Sequence, residues 1–125
     1  MSTIRVDNFG PSAGGTTYSA RGIAKAWVNF NGTGTIAARD SENVSSLTDN
    51  GTGNYTVNIS NDMANGNYAC LTTSGNDAGA GTGSWSVPAS AALSTASNIE
   101  LRGYSMAGGF EDQDQYMSAF FGDLA

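Results

Sequence analysis

The chain has 125 residues, a formal net charge of −6, no histidine and only five basic residues. Arg5, Arg21, Lys25, Arg39 and Arg102 are scattered, which argues against a nucleic-acid partner, because displacing counterions from phosphates takes a basic cluster. Without histidine there is no Ser-His-Asp or Cys-His catalysis and none of the usual zinc sites, and no run approaches the roughly 18 apolar residues of a membrane-spanning helix.

Residues 1–20 read as an N-terminal arm. Thr3 to Asp7 can form one short strand with Ile4 and Val6 on one face, and a turn-rich stretch through Gly10-Pro11-Ser12 and Gly14-Gly15 follows. An apolar strand ahead of a flexible hinge suits strand addition to a partner sheet, so Ile4 and Val6 are candidate docking residues. The run Ile23–Phe30 is apolar on both faces, as expected of a strand covered on two sides. Trp27 within it is read as core packing, with a stacking platform for a sugar ring or a subunit contact as the alternative. Asn31-Gly32-Thr33-Gly34 is a tight turn, Thr35–Arg39 a short returning strand, Asp40–Asn43 a second turn and Val44–Thr48 another strand. Asp49–Gly53 turns the chain into the clearest strand, where Tyr55, Val57 and Ile59 alternate with Asn54, Thr56 and Asn58. Strict alternation marks a half-buried strand.

Asn61–Asn67 is a polar connection, and Tyr68–Thr73 a strand with the only cysteine, Cys70, read as a small buried hydrophobe. Ser74–Ser84 is the longest loop, carrying Asp77 and ending at Trp85. Loops on a rigid sheet often bind ligands, which makes Asp77 and Trp85 candidate binding residues. Pro88 removes a ladder donor, so the run Trp85–Val87 belongs at a sheet edge. Ala89–Ala96 reads as loop, and Asn98–Met106 as a strand broken by Ala107-Gly108-Gly109. The last strand, Tyr116–Leu124, places Tyr116, Ser118 and Phe120 on one face and Met117, Ala119 and Phe121 on the other. Apolar on both faces, it is central or interfacial, and Tyr116, Phe120 and Phe121 become candidate interface residues. About eight to ten short strands with frequent turns predict an all-β domain over residues 21–125: an antiparallel β-sandwich, with the jelly roll as one form it can take.

Between Lys25 and Tyr68 the order and wording of these strands and turns resemble a β-rich domain that recurs in structural proteins of tailed bacteriophages, of tail-fibre or virion-associated type. The closing Phe120-Phe121-Gly122 is similar to that family's last strand. The chain departs from the pattern at Glu42, where such domains usually carry an aromatic. The resemblance implies a virion component and transfers no catalytic residue.

Five each of Leu, Ile, Val and Phe make a lean core for 125 residues. A fold that shares its core with partner subunits fits this balance, so a homo-oligomer, a trimer by expectation, is the predicted state. Glu111, Asp112 and Asp114 read as a solvated acidic loop, with calcium binding as the alternative. The five Asn-x-Ser/Thr matches between Asn31 and Ser60 arise by chance in an Asn-, Ser- and Thr-rich chain. The N-terminus lacks the layout of a signal peptide. No cofactor, enzymatic activity, nucleic acid or membrane insertion is expected. The expected function is a structural component of a tailed-phage virion, a short fibre- or knob-like appendage that docks on other virion proteins through its arm and meets a host-surface glycan. The alternatives are a head-fibre or decoration protein and a free carbohydrate-binding module.

Overall fold

The computed structural model describes residue 3 and residues 8–10, 13–16, 18–19, 22–75, 84–88 and 94–125. The expected strand at Thr3–Asp7, with Ile4 and Val6, and the loop tip with Asp77 lie outside the described residues. Of the arm, β1 (Asn8–Phe9) pairs with β2 (Tyr18–Ser19) as a short antiparallel ribbon.

The domain is all-β. Among the described residues its remaining strands are β3 (Ala26–Asn31), β4 (Ala37–Glu42), β5 (Val44–Gly51), β6 (Asn54–Ile59), β7 (Ala69–Gly75), β8 (Ser84–Pro88), β9 (Asn98–Ser105) and β10 (Gln115–Phe121). They form two four-stranded antiparallel sheets, ordered β4-β3-β10-β7 and β5-β6-β9-β8, packed as a β-sandwich. No helix among the described residues is long and apolar enough to cross a membrane. As its sequence demands, β10 is central in its sheet, and the Pro88 strand is an edge.

The alternation of β6 is realised residue by residue: Tyr55, Val57 and Ile59 are buried while Asn54, Thr56 and Asn58 are half-exposed. Facing them from the other sheet are Val28, Phe30, Tyr116 and Phe120, each at most 1% exposed. Phe30 stacks on Tyr116 with centroids 4.8 Å apart, and Tyr55 meets both rings edge-on at 5.4 and 5.1 Å. Such aromatic pairs contribute roughly 0.5–1.5 kcal/mol each beyond area burial.

Two corrections concern turns. The expected four-residue turn at Asp40–Asn43 is one residue, because β4 runs on to Glu42 and Asn43 alone adopts φ of 55°. An asparagine tolerates this left-handed conformation, and here its side chain fixes it. The Asn43 amide donates to Lys25 O and Asn61 O at 3.1 Å each, and its Oδ1 accepts from the Asn61 backbone N–H at 2.7 Å. This corner carries the chain from one sheet to the other.

The acidic loop, expected to be solvated, is half-buried and structural. Asp112 Oδ1 accepts from Gly53 N–H at 2.7 Å and from the Tyr55 hydroxyl at 2.5 Å, with Gly32 O 2.6 Å from the same hydroxyl. Burial, then the hydrogen bond to Asp112, raises the Tyr55 hydroxyl far above its ordinary pKa. The Asp114 carbonyl accepts from Arg39 Nη2 at 2.6 Å. Gly32 packs so closely here that a Cβ would lie 2.6 Å from Tyr116 Cε2 and 2.7 Å from Gln113 O. Among the described residues no group of three acidic or cysteine side chains is placed to hold a metal ion.

Candidate interaction face

The two sheets turn very different outer faces away from the core. On the β5-β6-β9-β8 face the outward side chains of β5, of β6 and of the first part of β9 are polar and bond to one another. Asn58 Nδ2 donates to Ser46 Oγ at 3.0 Å and Thr48 Oγ1 at 3.1 Å, Asn50 Nδ2 donates to Thr56 Oγ1 at 2.8 Å, and Arg102 pairs with Glu100 at 3.0 Å. Over β5 and β6 this is the polar-out surface of a sheet facing water, whereas beyond it Tyr104 of β9 packs on Phe110 at 5.0 Å, with Arg102 5.7 Å over the Phe110 ring.

On the β4-β3-β10-β7 face the register sets two cross-strand rows. One reads Glu42, Trp27, Ala119, Leu71, and the next reads Asp40, Asn29, Met117, Thr73. Ala119, small and flanked by Trp27 and Leu71, is the low point of a groove of about 530 Å³ that Met117 also lines. Leu71 is 62% exposed and Met117 39% exposed. Exposed apolar side chains scattered singly need no explanation, whereas a contiguous patch rimmed by polar residues marks an interaction surface. The rim here is acidic on the β4 side, through Asp40 and Glu42. In register Glu42 extends the Trp27 row.

The expected site residues separate clearly. Trp27 is not core: it is half-buried on the outer face, because Ala26, Val28 and Phe30 claim the inner face of β3. Tyr116 and Phe120 are fully buried between the sheets, and Phe121 is half-buried on the outer side of β10. Trp85 lies on β8 in register with Tyr104, its side chain outside the described part. Sequence reasoning did not single out Met117 or Leu71. The alternation of β10 already grouped Met117 with Ala119 and Phe121, but nothing local announced that β7 would set Leu71 beside them.

A second feature lies at one end of the sandwich. The turn at residues 64–68 and the tail at 121–123 enclose a cleft of about 280 Å³ lined by Asn65, Asn67, Tyr68, Phe121 and Asp123. Its walls are fixed by Ala64 N–H donating to Asp123 O at 2.8 Å and by the antiparallel bridge of Met63 with Leu124. Tyr68 is held by donating to Asn98 O at 3.1 Å and by an edge contact with Phe120, and burial pushes its hydroxyl up to about 12. Close by, burial pushes the half-buried Cys70 thiol up to about 12 as well, which leaves it protonated and a poor nucleophile.

Comparison with protein-family models, with curated proteins and with solved structures finds no match at the level of significance applied.

Proposed function

We propose that this chain is a structural component of a tailed-phage virion, a short fibre- or knob-like appendage that assembles as a homo-oligomer, a trimer by expectation, through the outer face of its β4-β3-β10-β7 sheet. The observation that carries the proposal is the unequal pair of outer faces. One sheet is hydrogen-bonded and polar outside over β5 and β6, with the aromatic pair Tyr104–Phe110 at one end, while the other exposes Leu71, Met117 and the Trp27–Ala119 groove across three strands. Four strands at about 4.8 Å spacing and roughly seven residues at about 3.3 Å make a flat face near 450 Å² per copy. Three such faces turned toward a common three-fold axis bury about 1,350 Å² in all, near the low end of specific interfaces at roughly 1,200 Å². The phage placement rests on the sequence resemblance between Lys25 and Tyr68, with other virion proteins as partners of the N-terminal arm. A head-fibre or decoration protein remains the alternative within the same class.

The test is the solution mass of the purified chain by light scattering across a wide concentration range, followed by antibody labelling of particles that carry it. A discrete oligomer that dissociates when Leu71 and Met117 are made polar supports the proposal. A monomer at every concentration refutes the oligomeric part, and label absent from the particle refutes the virion part.

The end cleft favours a second reading, saccharide binding. Two aromatic side chains, the amides of Asn65 and Asn67 and the carboxylate of Asp123 are the groups that stack on a sugar ring and bind its hydroxyls. Titration of the isotope-labelled chain with monosaccharides tests it. Amide shifts confined to residues 64–68 and 121–123 support it, and unchanged spectra at saturating sugar refute it.

A further inference from the structure

The sequence contains three Asn-Gly pairs, at Asn31, Asn50 and Asn65. In such a pair the glycine nitrogen can attack the asparagine side-chain carbonyl, since glycine has no side chain to obstruct the approach. Two local conditions govern the attack. The glycine N–H must be free to leave its present environment, and the Cγ=O bond is activated when a donor already binds Oδ1, as donors stabilise a developing oxyanion.

The three sites differ in the glycine N–H, while Oδ1 is bound at Asn31 and at Asn65 alike. At Asn31 the carbonyl is bound by Thr33, but Gly32 N–H donates to Gln113 O at 2.9 Å and Gly32 is buried against Tyr116 and Tyr55. At Asn50 the side chain points its Nδ2 at Thr56, and Gly51 N–H donates to Asp49 Oδ1 at 2.9 Å. At Asn65 the glycine N–H is what differs. Its Oδ1 accepts from Asn67 N–H at 2.8 Å, and Gly66, although a Cβ there would lie 2.6 Å from Ser94 O, has an N–H that donates to nothing among the described residues. Asn65 is exposed.

We infer that Asn65-Gly66 is a built-in deamidation site of the folded protein, while Asn31-Gly32 and Asn50-Gly51 are protected by their hydrogen bonds. Gly66 N forms a bond to Asn65 Cγ, and the Cγ–Nδ2 bond breaks. The side-chain nitrogen leaves as ammonia, taking up the proton that Gly66 N loses, and a five-membered succinimide remains. Water then opens the ring at either carbonyl to give aspartate or isoaspartate. Asn65 also lines the end cleft with Asp123, so the product places a second carboxylate at the cleft. The chain therefore ages at the same surface that the saccharide reading concerns. The inference itself needs neither that reading nor the assembly, only the single sandwich.

The experiment is incubation of the intact chain at mildly alkaline pH, native and in concentrated urea, with peptide mapping by mass spectrometry and quantification of isoaspartate. Releasing a bound glycine N–H costs on the order of 1 kcal/mol, so Asn65 is expected to convert about fivefold faster than Asn31 and Asn50 in the native state. In urea the three rates converge to within a small factor, which shows that the fold and not the flanking sequence sets the order. Conversion of Asn31 or Asn50 as fast as Asn65 in the native protein overturns the inference. So does an order that persists unchanged in urea, or an unmodified Asn65 over a period in which the unfolded chain converts fully.

Discussion

Replacing Leu71 by serine separates what the sandwich needs from what an assembly needs. Leu71 is 62% exposed in the single chain, so most of its apolar surface gains nothing from the chain's own core. Full burial of a leucine side chain is worth roughly 1.5–3 kcal/mol, which leaves about 1–2 kcal/mol to be gained only when a second copy covers it. Loss of a contact of this size in every interface of a trimer lowers the overall association constant by roughly two to four orders of magnitude. The folding stability of the isolated domain falls by less, about 0.5–1 kcal/mol, because the remaining third of the side chain does contact the sandwich. Light scattering after size exclusion, run over a concentration series, reads the first effect, and urea unfolding of the monomer reads the second. A polar-face control, Thr56→Ser, alters the opposite outer face and leaves association unchanged. If the control dissociates the oligomer as strongly as Leu71→Ser, or if neither variant changes the mass, the assignment of the β4-β3-β10-β7 face as the contact surface is wrong.

Other consequences are measurable on the single chain. Gly32→Ala puts a Cβ 2.6 Å from the Tyr116 ring and 2.7 Å from Gln113 O, and is expected to cost about 2–4 kcal/mol; Gly22→Ala, with open space around it, leaves the melting temperature within a degree or two of the original, about the ±0.5 kcal/mol usual for surface sites. Thr72→Val breaks the relay in which Ser118 Oγ donates to Thr72 Oγ1 at 2.8 Å and Thr72 meets Ser86 Oγ at 2.9 Å. With Ser118 and Ser86 both buried, an unfolding free energy lowered by about 1–3 kcal/mol is expected, and an unchanged unfolding midpoint shows that the hydroxyls find other partners. The tyrosines set a pH limit. Burial raises Tyr68 and Tyr116 from 10.0 to about 12, and Tyr55 goes higher still. A raised folded pKa gives stability that is whole below the unfolded value and is lost as pH rises through the folded one. Stability should therefore be flat up to about pH 10 on their account and fall between about 10 and 12, with tyrosinate absorbance rising in step with unfolding. Full ionisation of these tyrosines near pH 10 in a still-folded chain contradicts their placement.

The sequence by itself determined the class of the fold and much of its punctuation. Period-two alternation in Tyr55–Ile59 needs no partner to be read, since successive side chains of any strand point to opposite faces. Pro88 cannot donate to a ladder and so announced an edge, and the two-faced apolar pattern of Tyr116–Phe121 announced a central strand. Tertiary structure decided what local pattern leaves undetermined. When both faces of a strand are apolar, alternation names the two faces but not which one is inside. For β3 the choice went to Val28 and Phe30, which fill the space around Tyr55 and Tyr116, and Trp27 was left on the outer face. The groove exists only because β10 sits between β3 and β7, which aligns Trp27, Ala119 and Leu71 from three distant parts of the chain. The role of Asp112 was equally illegible, because its partner Gly53 is 59 residues away, and a carboxylate in a polar loop looks the same whether it meets water or a buried amide. Local sequence fixes which conformations are cheap; which surfaces are buried depends on the neighbours that chain topology supplies.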